Sequence, residues 1–372
     1  MATVTYRYEE LLAHKDSGKV SASAIEKLRC DAEAILEKPT VKVTDIKLPR
    51  PSGDIHDYVS IAPYRWPNPN TPDGLPWVGR DGVVNPDTRT GISGDAVYAR
   101  INTLALGALY FPERAEAYAE YANRQIYDWF LNPETKMNPN LNYGQSVPGE
   151  CDGRGAGIIE FRASYLFVNG ISILEQLGFI SEETLRGVKA WFVEFGDWIL
   201  TSELGLRVDN IVENHSSWLS ANLLAIAAFT ERSALINKIC RTTYQRRLAP
   251  SIAPDGSQPI ELKRTKGMHY SLFNLHPLLL CSTMAEILGY DGFWAEDPER
   301  GVSLIKSAVD YLYPYVKNPE TFPYQELNPT GCVRLMAEIM LMVEKRYPGQ
   351  GYGERAEELY PGIASTLLVP LL

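Results

Sequence analysis

The chain has 372 residues, 45% of them hydrophobic and 22% charged, the balance of a globular protein with room for a large core. A formal net charge of −10 argues against nucleic acid as a partner, because phosphate binding needs a basic field. No run of about 18 apolar residues stands out as a membrane span, and the start, Met1 to Lys15, lacks the basic and apolar regions of a signal peptide.

Helical periodicity dominates from end to end. Amphipathic helices are expected over 22–37, 95–110, 113–130, 160–177, 182–200, 216–231, 235–248, 272–288, 302–316 and 334–347. Between them lie segments rich in Pro, Gly and Asn, the longest over 38–93, too long for a casual connection and expected to carry function or to pack as a lid. Strand patterns are few, and Val41–Leu48 is one weak candidate. Helix pairs joined by long loops fit an all-α toroid, although a superhelical repeat protein would show nearly the same pattern. Five cysteines (Cys30, Cys151, Cys240, Cys281, Cys332) stand singly without a CxxC pair, which makes neither a zinc framework nor a dense disulfide scaffold. They read as small apolar side chains.

Four segments carry candidate chemistry. From Asp57 to Trp77 the chain is rich in aromatic residues and proline, and Tyr64, Trp66 and Trp77 are candidate platforms for sugar rings; anchoring of the loop to the core is the equal alternative. From Trp129 to Glu160 amides crowd a loop. There Asn140, Asn142, Gln145 and Arg154 could bind hydroxyls and a carboxylate, or cap helices and satisfy the loop's own backbone. The third segment is Glu213-Asn214-His215-Ser216-Ser217-Trp218. The fourth runs from Gly256 through Glu261, Lys263, Arg264 and Lys266 to His269-Tyr270, and its cations make a basic cluster within an acidic protein.

These segments, in this order, resemble the alginate lyase family of polysaccharide lyases, with an Asn-His step ahead of a Trp, then an Arg, then a His-Tyr step. The resemblance implies an incomplete (α/α) toroid over residues 1–372 as a single domain, and a catalytic set of Asn214, His215, Arg264 and Tyr270. It implies substrate contacts from Tyr64, Trp66, Trp77, Asn140, Asn142, Gln145, Arg154, Lys263, Lys266 and His269. Here the Arg–Tyr interval is one residue shorter than the family's, which leaves Lys263 and Lys266 as alternatives to Arg264. The implied partner is an acidic polysaccharide, with no nucleic acid and no membrane. No cofactor is required, although a structural metal is compatible, and the activity implies a secreted or periplasmic setting.

The residue types suit β-elimination. Removing H5 next to the C6 carboxylate of a uronate needs that charge neutralised, a task for Asn214 and Arg264. A base must reach C5 and an acid must reach O4. In mannuronate and glucuronate both leave from one face, so Tyr270 could serve in turn as base and acid. In guluronate they leave from opposite faces, and His215 would share the work. Two other classes compete: a glycoside hydrolase drawing on Asp209, Glu213 and Glu261, and a non-catalytic polysaccharide-binding protein. A metal hydrolase is disfavoured, because the histidines form no HExxH set.

Overall fold

The computed structural model describes residues 3–290, 293–294, 296–297, 299 and 301–370, and it is mostly helical. The chain forms two compact units. One comprises Leu28–Ile211 with Ala225–Arg232; the other comprises the N-terminal residues through Lys27, Val212–Leu224, and the chain from Ser233 onward.

In the first unit the helices Gly94–Tyr110, Ala115–Ile126, Ser164–Gln176 and Glu182–Thr201 supply the core. Their apolar faces interlock through aromatic rings: Phe167 lies 5.0 Å from Phe192, and Phe130 lies 4.9 Å from Trp191. Such tilted and edge-on pairs add to the burial of large rings. Gly170 lets two helices close on each other, since a Cβ there would stand 2.9 Å from Asn102 Cα. The stretch 155–176 has the length and hydropathy of a membrane span, but 72% of it is buried inside the protein, as in a core helix.

The 38–93 segment is ordered by short elements. Val59–Ile61 pairs in parallel with Tyr143–Ser146, and Arg65–Trp66 pairs antiparallel with Val78–Gly79. The strand expected over Val41–Leu48 does not form; Val43–Asp45 is a single 3₁₀ turn. Its carbonyls turn inward to Arg50, whose Nη2 donates to Val43 at 2.8 Å and whose Nη1 donates to Leu48 at 2.8 Å. A guanidinium thus replaces the ladder partner that a strand would need.

In the second unit, Gly267–Ile287 is the central helix, almost wholly buried, with Leu304–Lys317, Val333–Arg346 and Tyr352–Leu359 around it. It begins five residues before the expected start, so His269 and Tyr270 fall in its first turn. The helix expected from Ser216 begins at Asn214. The helices at Tyr8–Asp16, Glu203–Asp209 and Tyr352–Leu359 were not foreseen. All five cysteines are free thiols. Cys240, Cys281 and Cys332 are buried, and burial holds their thiols above the ordinary range.

Candidate active site

In the second unit the Asn-His segment meets the Glu261–Tyr270 segment. Glu213 stands at the start of the helix Asn214–Phe229, where its carbonyl accepts from the Ser216 and Ser217 amides. Asn214, only 1% exposed, donates its backbone N–H to Glu261 Oε1 at 2.7 Å; its Nδ2 lies 2.9 Å from Oε2 and 3.2 Å from Oε1. The other end of this amide, Oδ1, is buried without a hydrogen-bond partner. Burial raises the Glu261 carboxyl above the usual range, and the Asn214 donors oppose that.

His215 is partly exposed, and its Nδ1 lies 2.9 Å from Glu213 Oε1. The contact has an ion-pair distance without the alignment of a hydrogen bond. His215 holds the Glu213 carboxyl below its ordinary range, against the opposing effect of burial. Trp218, one turn on, packs between Phe273 and His276 with centroids 5.3 Å from each. It is a core residue.

The fourth segment is pinned to the central helix before it reaches Tyr270. Gln258 donates through Nε2 to the Ser271 carbonyl at 2.9 Å and accepts from Asn274 Nδ2 at 2.8 Å. Gly256, at φ +87°, makes the turn against the helix Leu304–Lys317; a Cβ there would meet the Ser307 carbonyl oxygen at 2.0 Å. The Arg264 guanidinium lies 3.8 Å from the Tyr270 ring centroid, a contact that brings fixed positive charge to the phenol. His269 stacks on Phe273 at 5.7 Å, and its backbone N–H donates to Glu326 at 2.9 Å. Lys263 is exposed, and Lys266 forms a backbone bridge to Glu326. The four expected catalytic residues thus share one unit and two adjoining segments. Sequence reasoning undervalued Glu213 and Glu261, because nothing in the sequence marks Glu261 as buried or sets Glu213 beside His215.

The remaining expected contacts lie in the first unit. Tyr64, Trp66 and Trp77 are each half-buried. Trp66 donates from Nε1 to the Val83 carbonyl at 3.1 Å and carries the Arg80 guanidinium 4.9 Å from its ring. Asn140 accepts from the Asn142 amide at 3.2 Å, while Asn142 Oδ1 accepts from Trp198 Nε1 at 2.9 Å. Gln145 is buried at φ 51°, a left-handed conformation uncommon for a residue with a side chain. Its amide donates to Ser60 Oγ at 2.7 Å, and Arg154 holds it twice, through Nε to its carbonyl at 3.1 Å and through Nη2 to Oε1 at 2.9 Å. Beneath them, Glu160 accepts from Tyr58 at 2.9 Å and Ser60 at 2.5 Å, and burial raises its carboxyl to about 7.

The alginate lyase family profile matches residues 42–322. The chain belongs to the alginate lyase family. Its members are polysaccharide lyases, and this alginate lyase family protein is an enzyme of that class. It is similar to an alginate lyase from Bacteroides ovatus at 31% identity, with a TM-score of 0.92 over 99% of this chain and 98% of the other. It is also similar in fold to alginate lyase A1-III from Sphingomonas species A1, at 14% identity and a TM-score of 0.54 over 88% of each chain. A variant of that enzyme complexed with tetrasaccharide matches at 15% identity and a TM-score of 0.57 over 88% of each chain. This likeness bears out the all-α fold class expected from the sequence, that of an incomplete (α/α) toroid. No curated protein sequence matches the chain.

Proposed function

We propose that the enzyme cleaves a 1,4-linked polyuronate, polymannuronate or glucuronan, by β-elimination, leaving a 4,5-unsaturated uronate at the new non-reducing end. The observation that carries this reading is the Arg264 guanidinium 3.8 Å from the Tyr270 ring, on a segment bonded to Asn214. Fixed positive charge beside a phenol favours the phenolate that a proton abstraction needs. The relative described as an alginate lyase supports a uronate polymer as the substrate.

In this reaction Arg264 binds the C6 carboxyl and stabilises the charge that moves onto it as the C5–H bond breaks. The Tyr270 oxygen takes H5, and the C–H electron pair becomes the C4–C5 double bond. The C4–O4 bond breaks, and Tyr270 returns the proton to O4 on the same face. His215, its Nδ1 beside Glu213, is the base for a substrate whose groups leave from opposite faces. Lys263, Lys266 and His269 bind the neighbouring uronates. Tyr64, Trp66, Trp77, Asn140, Asn142, Gln145 and Arg154 are further contacts for a polyuronate. A hydrolase reading is weaker, since Glu213 and Glu261 are both engaged by the Asn-His step.

The test is a substrate panel of polymannuronate, polyguluronate, glucuronan and hyaluronan, read by ultraviolet absorbance and product size. Unsaturated product from polymannuronate or glucuronan is expected. Saturated reducing ends without absorbance would show hydrolysis, and binding without product would show a non-catalytic role. On a same-face substrate His215→Ala should cost little; complete loss would move the base role from Tyr270 to His215.

A further inference from the structure

We infer that Glu261 is a positioning residue that fixes which end of the Asn214 amide is available for the reaction. The orientation follows from geometry alone, and its catalytic consequence rests on the lyase reading above. Both Glu261 oxygens face the Asn214 side chain, and one also takes the Asn214 backbone N–H. An ionised carboxylate only accepts. With Nδ2 turned inward each contact therefore joins a donor to an acceptor, whereas the reverse orientation would set Oδ1 against a carboxylate in the interior. Both side chains are buried, Asn214 at 1% and Glu261 at 2% exposure, so water does not compete for the choice. Glu261 is itself held in place: the turn that carries it is tied by Gln258 to Ser271 and Asn274 on the helix bearing Tyr270. One carboxylate thereby links the start of the Asn-His helix to the tyrosine helix.

The end left over is Oδ1, buried and without a partner. A substrate C6 group that displaces the cover over this atom meets Asn214 as an acceptor. That suits a carboxyl carrying a proton, and the cationic share of the neutralisation falls to Arg264. Glu261 touches neither the sugar nor the transferred proton; it acts through Asn214.

The experiment uses the full chain with polymannuronate and Glu261→Gln. This substitution preserves size and one acceptor for the backbone N–H, but faces the Asn214 Nδ2 with a second NH₂, a clash relieved when the Asn amide turns over. We expect the Asn214 side-chain signals in asparagine-labelled protein to shift. We also expect kcat to fall about 10²-fold, the scale of a roughly 1 Å misplacement, with KM nearly unchanged. Glu261→Asp, which keeps two acceptors, should recover part of kcat. Unchanged kcat, a rise in kcat, or a loss confined to KM would overturn the inference. Should Glu261→Gln not fold, the unaltered protein decides: the Asn214 side-chain amide protons should exchange with water far more slowly than those of exposed asparagines, and fast exchange would overturn it. Failure of the lyase reading would be visible separately, as no unsaturated product from the unaltered enzyme on any polyuronate.

Discussion

The loop from Asn140 to Arg154 and the pair of segments around Asn214 and Tyr270 are both crowded with polar side chains, yet they use them differently. In the loop, amides and guanidinium satisfy one another and the local backbone: Arg154 closes on Gln145, and Asn142 receives Trp198. Around Asn214 the bonding is concentrated on one side of each group, with Glu261 on Asn214 and Glu213 beside His215, and the Asn214 Oδ1 is left over. The difference is one of preparation. The loop side chains spend their hydrogen bonds on one another, whereas around Asn214 one end of the amide is left over.

That contrast can be broken in several places. The largest effect belongs to Tyr270→Phe, which keeps the ring under Arg264 but removes the hydroxyl. Unsaturated product from polymannuronate should fall by about 10³-fold or more, toward the top of the range for an acid–base group, while oligosaccharide binding by calorimetry persists. Retention of a tenth of the rate would end the proposed role. Arg264→Ala should lower kcat by about 10² to 10³-fold. By comparison, Lys263→Ala and Lys266→Ala should raise KM only a few-fold, by an amount that shrinks as salt is added. If one of the lysine variants gave the larger loss, the cation opposite the carboxylate would have to be reassigned.

Stability measurements sharpen the other side of the comparison. Glu160 keeps its proton up to about pH 7 in the folded protein, whereas an unfolded carboxyl releases it near pH 4.3. The folded state binds the extra proton across that window, so stability should fall as pH rises from about 4.5 to about 7 and then level off, by roughly 3 kcal/mol. Urea unfolding at the two ends of the window should show this fall, and Glu160→Gln should remove most of it, leaving the part due to other raised carboxyls such as Asp95 and Glu261. A flat profile in the unaltered protein would mean that Glu160 is ionised throughout. Asn142→Ala, which strands Trp198 Nε1, should cost about 1 kcal/mol and change kcat less than twofold on this scale. A large kcat loss there would give Asn142 a part in the reaction itself, beyond bracing the loop and contacting substrate.

The helices were legible because their apolar residues recur at the helical period, and Ala22–Leu36 and Glu182–Thr201 end within one residue of expectation. Their starts were less legible where tertiary contacts set them. The central helix opens at Gly267, a poor helix former, because Gln325 and Glu326 accept its first amides. Val41–Leu48 read as a strand since the ligand for its carbonyls, Arg50, lies outside the alternating pattern. At the site, residue types and order pointed to Asn214, His215, Arg264 and Tyr270. Burial of Glu261 and the bonding of the Asn214 backbone N–H and Nδ2 join residues 47 positions apart, which local pattern does not encode.

The cap on that central helix also bears on how the protein can be cut. The family profile ends at residue 322, but the Gly267 amide is held by the Gln325 carbonyl and the His269 amide by the Glu326 carboxylate. A fragment trimmed to residue 322 would retain Asn214, His215, Arg264 and Tyr270 and still lose the two acceptors at the start of the tyrosine helix. A fragment that keeps the hydrogen bonds at the start of that helix must therefore run through Glu326, several codons past the end of the profile match.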